Sequence, residues 1–179
     1  MAAKRHTIRQ GIVVGLIGYA SVALFYSIFD FLAARGTLYT VDLLGKAVFH
    51  GLRDPGILGI PIRVDVTVVF MYNAFHLAMS LAIGLVVTGL VEYAERHPGR
   101  APLALLTIVT GFVVTVIVVG LLSAPMRPVL PWWSIVAANA SATLLAGAYL
   151  LRKYPGLWGH LFNRTRPRSL AARSHPYVR

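Results

Sequence analysis

Four long apolar runs separated by short polar stretches limit what this chain can fold into. They are 11–33 (GIVVGLIGYASVALFYSIFDFLA), 66–91, 102–124 (PLALLTIVTGFVVTVIVVGLLSA) and 132–151 (WWSIVAANASATLLAGAYLL). About 20 apolar residues cross the roughly 30 Å hydrocarbon core of a bilayer as a helix, so each run has the length of a transmembrane span. From Val66 to Val91 no Lys, Arg, Asp or Glu interrupts the second run. Pro102 suits a first helical turn, and Pro125, Pro128 and Pro131 break the chain between the third and fourth runs. Composition agrees: 13% of the 179 residues are charged and 57% are hydrophobic, whereas soluble domains carry roughly 25% charged residues. The expected fold is all-α, a polytopic membrane protein built as a four-transmembrane-helix bundle.

Lys4, Arg5 and Arg9 precede the first run, as in a secretory signal. That run exceeds the roughly 7–15 apolar residues of a signal core, and no small-residue cleavage site follows, so an uncleaved span is expected. Orientation follows from the basic residues. With the N-terminus inside, 12 of the 17 Lys and Arg fall on the inner side: Lys4, Arg5, Arg9, Arg96, Arg100, Arg152, Lys153 and five in the C-terminal tail. Arg35, Lys46, Arg53, Arg63 and Arg127 fall outside. Both termini are therefore expected in the cytoplasm, with Trp132 and Trp133 at the outer interface and Trp158 at the inner one. The charge of +11 is explained by this asymmetry and calls for no nucleic acid.

The spans and their loops make one domain, 1–155, followed by a basic cytoplasmic tail, 156–179, suited to anionic lipid headgroups. In the first outer loop, YTVDLLGKAVFHGLRD reads as an amphipathic interfacial helix over about 41–52, with Thr40 as its cap. Asp42, Lys46, His50 and Arg53 form its polar stripe, and the apolar PGILGIPIRVD that follows is expected to pack down.

The absence of cysteine excludes disulfides and thiolate chemistry. An ionisable ring inside a span is the sharpest candidate for function. His76 shares a helical face with Asn73, Ser80 and Gly84, and Tyr72 is one turn away. Antiparallel alternation of the spans brings Tyr26, Asp30, Asn73, His76 and Asn139 towards the outer half of one bundle. That group is the candidate intramembrane polar site. It can act as a hydrogen-bonded pin for helix register, as a proton or small-ligand site, or as a metal or haem ligand. The last is disfavoured because no other span holds a histidine. Gly11, Gly15, Gly18, Gly84 and Gly147 are the candidate helix-packing positions. No nucleophile–base pair has a recognisable spacing, so neither a catalytic residue nor a metal set is expected.

One stretch, GLIGYASVALFYSIFDFLAARGTLYTVDLLGKAVFHG, together with YNAFHLAMSLAIGLVV, resembles an uncharacterised family of small four-helix bacterial integral membrane proteins. The matching positions are Asp30, Leu38, Tyr39, Thr40, Leu43, Leu44, Gly45 and His76, all in the first half of the chain. The resemblance implies the same architecture and a prokaryotic membrane, and it implies no activity; the localisation expected is the bacterial cytoplasmic membrane.

Two functions fit these residues. The first is a non-catalytic accessory subunit of a larger membrane complex, respiratory or photosynthetic, whose partners are lipid and other subunits or further copies. The alternative is a small homo-oligomeric transporter or intramembrane ligand-binding protein using the His/Asp/Asn group. No resident cofactor is expected, with haem and quinone as the lesser options.

Overall fold

A computed structural model describes residues 2–51 and 63–156. Among them every regular element is helical: α1 (Ala2–Leu32), α2 (Tyr39–Phe49), α3 (Val66–Arg96), α4 (Ala101–Leu122) and α5 (Trp132–Lys153), with 3-10 turns at Pro98–Arg100 and Ala124–Met126. α1, α3, α4 and α5 are each long and apolar enough to cross a membrane. They follow the four apolar runs, with α1 and α3 continuing past them into the charged flanks. The tail beyond Gly156, including Trp158, lies outside the described residues, as does 52–62 with Arg53 and most of the expected packed-down segment.

α1 packs most broadly on α3 and then on α5, α3 also touches α2 and α4, and α4 meets α5. The long helices thus make a four-cornered bundle with α1 and α4 on opposite corners. Glycines set the α1–α3 approach. A Cβ on Gly11 would stand 2.8 Å from Leu85 Cα, and one on Gly15 would stand 2.7 Å from Leu81 Cα and from the Ser80 carbonyl. Gly84 answers from α3, lying against the backbone of both. Gly18 and Gly147 differ from this pattern: a Cβ on either would meet nothing within 4 Å. They bring no close helix contact among the described residues.

After α1 the chain reverses through Ala34 (φ 54°) and Gly36 (φ 87°), and the Arg35 amide donates back to the Asp30 carbonyl at 3.1 Å. This is a left-handed helix ending of the kind that satisfies orphan carbonyls. α2 then lies across α3, where Gly45 leaves space for Val68 and Tyr72. α2 starts two residues before its expected beginning and is turned over relative to the expected amphipathic helix. Asp42, placed on the polar stripe by the sequence, is 0% exposed, whereas Val48 and Phe49 are exposed. The reason is specific bonding: the Asp42 carboxylate accepts from Lys46 Nζ (2.5 Å) and from the Asp65 amide (2.8 Å), and a buried charge so partnered loses most of its desolvation penalty. Asp65 in turn caps α3, accepting from the Thr67 and Val68 amides at 2.9 and 3.2 Å.

Gly84→Ala forces the α1–α3 seam apart and is expected to destabilise the fold by about 1–3 kcal/mol, as overpacking does. Gly18→Ala meets open space and is expected to be neutral, or to stabilise by up to about 1 kcal/mol through helix propensity. Thermal unfolding of both variants in the same detergent checks the contrast, and equal effects would contradict it.

Candidate functional site

The expected polar group does not assemble as one site. Asp30 belongs to an ionic knot at the α2 end of the bundle, Asn73 and His76 to a row of rings along the α1–α3 seam, and Tyr26 lies between them, within electrostatic reach of Asp30 and of Tyr72.

Asp30, one turn from the end of α1, is 0% exposed. One carboxylate oxygen accepts from the Thr40 hydroxyl (2.6 Å) and from Arg35 (3.2 Å), and the other accepts from the Thr40 amide (2.6 Å). The Thr40 amide is among the first of α2, the kind that a helix leaves without an internal partner. The cap of α2 is therefore not the Thr40 side chain, as the sequence suggests, but the carboxylate of the preceding helix. Arg35 completes the knot. It donates to the Val129 carbonyl at 2.6 Å, and its guanidinium stacks over Phe29 (5.0 Å) and Tyr39 (4.6 Å). Its Nε and the Tyr39 hydroxyl are buried with no hydrogen-bond partner among the described residues. Both are sealed from solvent by the described residues.

Tyr26 points instead at α5, where its hydroxyl meets Ser134. It packs on the cluster of Tyr39, Leu43, Met126, Leu130 and Ile135. Asn139 turns back on its own helix, donating to the Ile135 carbonyl at 2.8 Å. Asn73 is the interhelical pin: it accepts from the Tyr19 hydroxyl at 2.9 Å and donates to the Val69 carbonyl at 2.8 Å. His76 lies beside it between two phenol rings, with centroids 5.2 Å from Tyr19 and 6.1 Å from Tyr72. Neither ring nitrogen of His76 has a hydrogen-bond partner among the described residues. The register pin that the sequence assigns to His76 is thus carried by its neighbour.

Tyr19 was not singled out by the sequence. The signal was present, because Tyr19 follows Gly15 by one turn and so faces α3. At the opposite end a second polar set joins three helices. Tyr149 of α5 donates to Gln10 of α1, Thr7 of α1 donates to Glu92 of α3, and Arg96 pairs with Glu92. Among the described residues no three His, Asp or Glu side chains converge closely enough to hold a metal ion. No family model, curated protein or solved structure matches the chain.

Removing one partner of a buried ion pair leaves the other uncompensated, a loss of about 3–5 kcal/mol. Asp30→Ala is therefore expected to cost far more stability than Arg96→Ala, whose pair at the other end is solvated. Chemical unfolding of the two variants tests this, and comparable losses would remove the knot from the account.

Burial holds the Tyr39 phenol above its ordinary 10.0, with Arg35 pulling it down and Asp30 pushing it up. The folded chain keeps this proton more tightly than the unfolded one, so its contribution is intact below about pH 10 and is lost as the pH rises beyond. Tyr39→Phe also deletes an unpartnered hydroxyl. It is expected to keep or raise the unfolding temperature at pH 7 and to shrink the alkaline loss. Melting curves across the alkaline range decide, and an unchanged alkaline loss would count against this origin.

Proposed function

We propose that the chain is an integral membrane protein serving as a non-catalytic accessory subunit of a larger membrane assembly. In this reading α1, α3, α4 and α5 cross a bacterial cytoplasmic membrane, α2 lies at its outer face, and both chain ends are cytoplasmic. Charge supports the orientation. At the N-terminal end of the bundle Arg5, Arg9, Arg96, Arg100, Arg152 and Lys153 are all exposed. At the α2 end Arg63 and Arg127 are exposed, and Arg35 and Lys46 are partly buried, among the described basic residues. Basic residues accumulate on the cytoplasmic side of membrane proteins.

The observation that carries the subunit reading is α4. It is attached to the bundle through small contacts at Ala101, Ala104, Val116 and Gly120, the last crossed by the Trp132 ring. Large side chains around the rest of its girth stay uncovered, Leu103 at 62% and Leu121 at 65%. Beside its packed face Thr107, Gly111 and Thr115 recur every fourth residue, a stripe of small side chains. Both threonine hydroxyls bond to their own helix, at 2.9 and 2.8 Å, and a Cβ on Gly111 would meet nothing within 4 Å. Small residues at this spacing let a neighbouring transmembrane helix approach closely. Elsewhere several polar side chains are engaged within the chain: Asp30 with Thr40, Asp42 with the Asp65 amide, Asn73 with Tyr19 and Tyr26 with Ser134.

Gentle detergent extraction from native membranes, followed by mass spectrometry, is expected to recover stoichiometric partner subunits. Gly111→Leu is expected to release them while the variant stays folded. Recovery of the wild-type chain as a stable monomer would overturn the proposal.

A further inference from the structure

The α1–α3 seam holds a feature that subunit assembly does not use. Helices α1 and α3 touch backbone to backbone at Gly11, Gly15 and Gly84, yet one turn on, at Gly18, the same face of α1 meets open space. At that level stand two polar side chains that no described protein group satisfies, and further along the same stripe the fully buried Thr88 hydroxyl is a third. The His76 ring nitrogens and the Tyr72 hydroxyl have no hydrogen-bond partner among the described residues. Both side chains sit on the inward stripe of α3, with Val68, Gly84 and Thr88, and both keep part of their surface open. The opposite stripe, with Phe75, Met79 and Ile83, is the exposed one. His76 and Tyr72 thus lie on the packed side of α3, each with part of its surface uncovered among the described residues.

We propose that this seam is a binding site for a flat, lipophilic ring bearing carbonyl oxygens, of the quinone type. Tyr19, His76 and Tyr72 supply an aromatic lining, their centroids 5.2 and 6.1 Å apart and their planes tilted by 52° and 33°, which a planar ring meets by edge-to-face as well as offset contact. The Tyr72 hydroxyl and a His76 N–H are the donors, and carbonyl oxygens are the complementary acceptors. The Asn73–Tyr19 bond fixes the wall without consuming either donor. Depth excludes lipid headgroups. His76 lies ten residues past the start of α3, about 15 Å along the helix and near the middle of a roughly 30 Å hydrocarbon core. The inference rests on the membrane placement and not on the identity of any partner subunit.

The test uses the purified full chain in detergent with 15N-labelled histidine, titrated with 2-methyl-1,4-naphthoquinone and, separately, with 2-methylnaphthalene. The His76 ring resonances are assigned by their loss in His76→Leu. A saturable shift with the quinone, at least about tenfold weaker with the hydrocarbon, is expected from the loss of about one to two hydrogen bonds. Gly18→Leu fills the open space and is expected to abolish the shift while the melting temperature holds. Tyr72→Phe is expected to weaken it about tenfold. A shift that grows linearly with probe, that is equal for the two probes, or that persists in Gly18→Leu and Tyr72→Phe would overturn the site. So would no shift at all. Co-purification with partner subunits bears on none of these outcomes, so the two proposals fail separately.

Discussion

The ion pair between Asp30 and Arg35 is the interaction on which one whole end of this molecule depends. It is 3.2 Å long, with the carboxylate buried and the arginine side chain 16% exposed. Its partners come from three places: Thr40 at the start of α2, the α1 reversal that carries Arg35, and the Val129 carbonyl in the α4–α5 connection. An ion pair in this setting stabilises little by itself, because desolvation offsets most of the Coulomb attraction. Its effect is on specificity: any arrangement that separates α2 or the 124–131 connection from α1 leaves a charge buried and unpaired. Asp42 repeats the device two residues after Thr40, tying α2 to the cap of α3.

The other determinant is backbone contact rather than charge. Gly11, Gly15 and Gly84 bring α1 and α3 together over one crossing, and the helices are joined above it through Tyr19 and Asn73. Between a helix crossing closed by glycine and an end closed by ion pairs, the middle of the seam keeps its open surface at Gly18, Tyr72 and His76. α4 shares in neither determinant, which leaves its threonine and glycine stripe available to a neighbouring helix.

The four long helices were legible because hydrocarbon-length apolar runs admit few other readings, and the proline cluster at 125–131 marks the last turn between them. The short helix was legible in place but not in face. Asp42 and Lys46 look like a solvated stripe until the Asp65 amide, 23 residues away, is known to sit against Asp42. Periodicity within one helix carries no information about such a partner. The same limit applies to the polar residues in the long helices. Shared depth suggested that Asp30, Tyr26, Asn73, His76 and Asn139 meet, but helix rotation sends Tyr26 towards α5 and Asn139 back along its own turn. Gly18 and Gly147 show the corresponding limit for packing: a small residue permits close approach, and only the crossing geometry says whether one occurs.

The most direct measurement of the Asp30 knot is amide hydrogen exchange at Thr40 in the wild-type chain. Amides in the first turn of a helix lack internal partners and exchange readily. If the Asp30 carboxylate caps α2 from within the protein, Thr40 exchanges orders of magnitude more slowly than Thr67, whose amide is bonded to the more exposed cap Asp65. Exchange of Thr40 as fast as that of Thr67 would mean that the carboxylate does not hold α2, and the account of this end of the molecule would be wrong.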